Sequence, residues 1–112
     1  MAYNTTKYGQ NESLVVSASV QNAFGATDTG VNQSRRVTIN VRGTGTVYFK
    51  IIAEVATLTN TVSSTNNHMI LTQSDTTVVP VSVELAPGEI LVCINDGVNT
   101  PTVYVREIIY VS

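Results

Sequence analysis

The sequence predicts an all-β fold, an antiparallel β-sandwich or jelly-roll-like barrel of about seven to eight strands. Three observations carry that expectation. Val, Thr, Ser and Asn together make up nearly half of the 112 residues. Val and Thr suit a pleated, half-buried surface and lose side-chain freedom in helices. Apolar and polar residues alternate in short runs, and glycine, proline or asparagine punctuates the gaps between them.

The elements follow in chain order. Ser13 to Val20 reads as the first strand, with "QNAFGATDTGVNQ" as a long loop after it. Arg36 to Arg42 alternates Val37, Ile39 and Val41 with Thr38, Asn40 and Arg42. Gly43-Thr44-Gly45 turns the chain into Thr46 to Glu54, and Ala56 to Val62 is a weaker continuation. The stretch Ile51 to Leu58 comes nearest to a helix, but it is β-branched and runs into "TNTVSSTNN", which favours turns. "SSTNNH", residues 63–68, is a polar loop tip. Met69 to Gln73 and Thr76 to Leu85 follow, broken at Ser74-Asp75. In the latter, Val79, Val81, Val83 and Leu85 share the inward face, and Pro80 marks an edge or bulged strand because it cannot donate to a ladder. Pro87-Gly88 in "APGE" suits a type II turn. Glu89 to Asn95 and, after "NDGVNTP", Thr102 to Val111 close the chain. The last strand does not alternate cleanly, since Glu107 shares a face with Val103 and Val105. A bulge near Arg106-Glu107, or apolar contact on both faces, accounts for that.

A chain of this length suits one domain with a core that needs no staples. Residues 1–12 read as an N-terminal arm and 13–112 as the sandwich. Only 12% of residues are charged and the net charge is −2. That balance leaves no clustered Lys and Arg for nucleic acid. The first residues lack the apolar stretch of a signal peptide, and no run approaches the ~20 residues that span a bilayer. The expectation is a soluble protein made in a cytoplasm, with no nucleic-acid or membrane partner.

Residues that could carry chemistry are sparse. Cys93 is the single cysteine, set in the apolar run Ile90-Leu91-Val92-Cys93-Ile94, and reads as a buried thiol. His68 is the one histidine and falls in a polar loop, without neighbouring ligands at metal-site spacing. Asp75, Glu84, Glu89 and Asp96 fall near turns, where solvation explains them. No Gly-x-Ser-x-Gly elbow, phosphate-binding loop or EF-hand spacing is present. The expectation is a protein without catalytic residues, metal or cofactor. There is no Trp for a sugar platform, and Tyr48, Tyr104 and Tyr110 lie in strands where packing accounts for them.

The arm holds Tyr3 and Tyr8 but little charge and no apolar periodicity. It either orders on a neighbouring subunit or folds back as an extra strand. Tyr3, Asn4, Lys7 and Tyr8 are its candidate partner-binding residues.

"GTGTVYFKI" at 43–51, "VSVELAPGEI" at 81–90 and "TVYV" at 102–105 resemble the small all-β structural proteins of tailed bacteriophages. The resemblance covers about the last two-thirds of the chain. The turn stands in altered order as Leu85-Ala86-Pro87-Gly88, and Met69–Gln73 looks like extra material. Within that group the chain looks most like capsid decoration (cement) proteins. The resemblance implies a virion structural protein, a homotrimer that binds the major capsid protein on the capsid exterior and stabilises capsomer junctions. A neck or tail component and a glycan-binding sandwich are the alternatives.

Overall fold

The computed structural model describes residues 5–25, 34–73 and 80–111. It contains eight strands and, among the described residues, no helix. They are β1 (Thr5–Val15), β2 (Gln21–Phe24), β3 (Arg35–Arg42), β4 (Gly45–Ala53), β5 (Met69–Gln73), β6 (Val81–Leu85), β7 (Glu89–Asn95) and β8 (Thr102–Val111). They form two antiparallel four-stranded sheets, ordered β1-β8-β3-β6 and β2-β7-β4-β5.

That order follows from one long ribbon. The chain doubles back between β4 and β5, so that β4 pairs with β5, β3 with β6, β2 with β7 and β1 with β8. Rolling the ribbon adds β3–β8 and β4–β7 contacts and separates the pairs alternately into two sheets. The result is a jelly roll, in which two packed sheets bury one shared core.

Most turns therefore carry the chain between sheets. Gly43-Thr44 links β3 in one sheet to β4 in the other. The Ala86–Glu89 turn, closed by Glu89 N–H donating to Ala86 O at 3.0 Å, links β6 to β7. Gly88 has φ of 81° there, as the third position of a type II turn requires.

The core lies between the sheets. Val37, Ile39 and Val41 of β3 and Val103 and Val105 of β8 face Val47 and Phe49 of β4 and Leu91 and Cys93 of β7. β7 is buried on both sides. Its Ile90 and Val92 join a second cluster around Val62, with Tyr48, Ile52, Leu58 and Ile94 packed against it. Residues 54–68 thus fold over the outer face of the β2-β7-β4-β5 sheet. Asn60 adopts a positive φ of 65° in that segment, and Ser63 and Asn66 exchange backbone hydrogen bonds at 2.8 and 3.2 Å.

Four expectations need correction. The segment 5–12 is not an arm separate from the sandwich, because β1 begins at Thr5 and pairs with β8. The first strand is not Ser13–Val20, since β1 ends at Val15 and Val16 leaves the strand to enter the core. "QNAF", placed in a loop, is β2. Ala56–Val62 continues no strand and instead supplies the cover of the outer face. The irregularity near Glu107 is a bulge on the opposing strand. Between Tyr8 and Asn11, β1 advances through Gly9 and Gln10 while β8 advances through Glu107 alone. β8 stays in unbroken register with β3 across the same position.

The edge position expected from Pro80 is observed, because β6 ends its sheet. Val81 and Val83 are half-buried and Leu85 buried, while Ser82 and Glu84 are exposed. Val79, Asp75 and the Thr76 start of that strand lie outside the described residues.

Candidate interaction surface

The outer face of the β1-β8-β3-β6 sheet has no covering segment among the described residues. Alternation along β3 turns Arg36, Thr38, Asn40 and Arg42 outward because Val37, Ile39 and Val41 face the core. Register then builds the surface across strands. Tyr104 stands between Asn40 of β3 and Ser13 of β1, and Arg106 lies opposite Thr38.

Tyr104 is 43% exposed, and the Arg42 guanidinium carbon lies 5.8 Å from its ring centroid. This is cation–π range, and it holds the ring from one side. Beside the ring is a shallow depression of about 250 Å³, lined by Glu12, Ser13, Asn40, Tyr104 and Arg106. Further along, Arg36 and Glu84 form an ion pair of 2.6 Å between largely exposed side chains, which contributes little to stability. Thr38 and Ser82 hydroxyls meet at 3.4 Å. Among the described side chains, this face offers the aromatic platform of Tyr104, guanidiniums and neutral donors and acceptors.

Tyr104 thereby departs from expectation, since it faces outward and not into packing. Alternation with the buried Val103 and Val105 turns it outward, and the register with distant strands supplies its neighbours Ser13 and Asn40. Tyr48 is half-buried against the second cluster, as packing would have it. Of the arm residues, Tyr3 and Asn4 lie outside the described residues. Lys7 and Tyr8 are in β1, opposite Ile109 and Ile108 of β8.

The residues weighed for chemistry are dispersed. His68 accepts the Ile51 N–H at Nδ1, 3.2 Å away. It borders a cleft of about 270 Å³ whose other walls include Phe49, Met69 and Val83. Among the described residues no three His, Cys, Asp or Glu side chains gather as a metal site would need. Cys93 is fully buried, and burial pushes its thiol up to about 12.

Glu89 folds back on its own turn, its Oε1 accepting the Ala86 N–H at 2.7 Å. Asp96 does the same for the loop before β8. Its carboxylate accepts the N–H groups of Asn99 at 2.8 Å and Val98 at 2.9 Å, the Asn99 side-chain amide at 3.1 Å and the Thr46 N–H at 3.3 Å. Those donors, the Asn99 backbone foremost, hold the carboxyl well below the usual carboxylate range. The loop is a braced turn that leaves Val98 85% exposed at its tip.

Comparison of the chain with protein-family models, curated proteins and solved structures finds no match.

Proposed function

We propose that this chain is a non-enzymatic structural protein of a phage virion, a decoration protein that binds the major capsid protein on the capsid exterior. The observation that carries the reading is the strand order, a two-sheet jelly roll in which, among the described residues, one sheet face is covered and the other is bare. Jelly rolls recur in viral capsid domains and in lectins, which is an analogy of fold. The bare face adds a physical reason. It presents the exposed Arg36, Arg42 and Arg106 beside Thr38, Asn40 and Ser82, and arginine is a residue type enriched where proteins meet. Tyr104 sits near its middle, and an exposed aromatic is the residue type that anchors such contacts.

The test is co-sedimentation with capsids that lack the protein. Saturable binding that falls roughly tenfold or more in Tyr104→Ala, with the fold retained, supports the reading. Failure of the wild-type protein to sediment with any such capsid overturns it.

A second reading, a glycan-binding module, draws on the same ring and on the depression beside it. Retention on a glycan array that is lost in Tyr104→Ala, without capsid binding, would favour it.

A further inference from the structure

We infer that β1 is a self-complementary edge through which two copies of this chain join, extending the β1-β8-β3-β6 sheet across a two-fold axis. The inference is independent of the capsid reading and replaces the trimer implied by resemblance with a dimer as the basic unit.

The four sheet edges are unequal. β2, β5 and β6 are four, five and five residues long, and Pro80 stands directly before β6. Short strands and proline both discourage edge-to-edge pairing. β1 has eleven residues and no proline. Among the described residues, no strand pairs with its outer side.

The charges of β1 specify its partner. Lys7 and Glu12 are its two charged residues, of opposite sign. In an unbroken strand, positions 7 and 12 fall on opposite faces. The bulge at Gly9-Gln10 shifts that phase, so Lys7 registers with Ile109 and Glu12 with Val105, positions of the same parity on β8. The two positions therefore fall on one face of the ladder. When β1 pairs antiparallel with a second β1 so that Lys7 stands across from Glu12 of the partner subunit, the two-fold axis repeats the pair. Directly opposed residues share a face, so the opposite charges meet. In that register Tyr8 falls across from Asn11 and Gly9 across from Gln10. A bulge on one edge deters pairing with a regular strand. Here both copies carry the extra residue at the same place, so the count between them stays even.

The experiment is sedimentation equilibrium of the full chain and its charge-reversed variants, with circular dichroism to verify folding. The wild-type protein is expected to dimerise. Lys7→Glu and Glu12→Lys each set like charges opposite one another twice, and each should weaken the dimer roughly tenfold. A mixture of the two variant chains should regain wild-type affinity as a heterodimer, because the register then restores both opposite pairs. Intrachain pairing between Lys7 and Glu12 cannot produce that recovery. Lys50→Glu mixed with Glu54→Lys, equal charge changes away from β1, should leave the wild-type affinity unaltered. A monomeric wild-type protein, a trimer indifferent to the single reversals, or a mixture that stays as weak as its parts would overturn the proposal.

Discussion

Arg35 and Glu107 meet in a two-pronged ion pair at the margin of the core. Arg35 Nε lies 2.7 Å from Glu107 Oε2, and Nη2 lies 3.0 Å from Oε1. The side chains retain 13% and 12% of their exposure. The guanidinium carbon also sits 4.6 Å from the centroid of Phe24, on the opposing sheet. Glu107 occupies an inward position of β8, beside Val103 and Val105, because Arg35 comes to meet it there.

Removing one partner strands a largely buried charge, whereas replacing both with apolar groups does not. Glu107→Ala should cost about 3 kcal/mol of unfolding free energy in urea. The double variant Arg35→Met/Glu107→Leu should recover most of that loss. Equal costs for single and double variants would mean that the pair is not coupled.

Asp96 should make the protein sensitive to acid. Its folded pKa lies below the ordinary 3.8, so its contribution is complete above that value and is lost as pH falls beneath it. Asp96→Asn keeps acceptor geometry on one oxygen only. Denaturation midpoints compared between pH 6 and pH 2.5 should fall less steeply in this variant than in the wild-type protein.

Cys93 sets the opposite limit. Its thiol rises from 9.0 to about 12 through burial, so stability is whole below pH 9 and declines as pH climbs from there toward 12. At pH 8 a thiol reagent should label the native protein only as fast as it unfolds. Prompt stoichiometric labelling without denaturant would contradict the placement of Cys93 between the sheets.

Two glycines with positive φ should respond very differently to alanine. A Cβ on Gly45, at φ 140°, would come within 2.7 Å of Asn99 Cβ, in the loop that Asp96 braces. Gly88, at φ 81°, has nothing within 4 Å. Gly88→Ala should cost about 1 kcal/mol of backbone strain. Gly45→Ala should cost at least about twice that and lower the melting temperature correspondingly more.

Where two chemically distinct faces meet, the strands were legible in sequence. β3 alternates cleanly because one side meets core and the other water. β7 reads as a continuous apolar run because residues 54–68 bury its second face. β1 was obscured for a physical reason. "TTKYGQNE" leads the outermost strand, held by backbone pairing with β8, and its bulge breaks the period. Pairing of that kind leaves no side-chain pattern to read. β2 is too short to show a period. The neighbours of Tyr104 and the Arg35–Glu107 pair depend on register between segments far apart in the chain, which local pattern does not encode. Residue type alone singles out Lys7 and Tyr8, and only the ladder with β8 places them in a sheet edge.

The cover over β7 also has a consequence in time. Amide protons exchange with solvent only when their hydrogen bonds open, and opening is rarest where neighbours lie on every side. β7 has a strand to its left and right and packed side chains above and below. Its amides at Leu91, Val92 and Cys93 should be the last in the molecule to take up deuterium, at the rate of global unfolding. Val62→Ala, which thins the upper layer, should quicken them without touching the strand itself. The protein's slowest clock would then be set by a loop that belongs to no sheet.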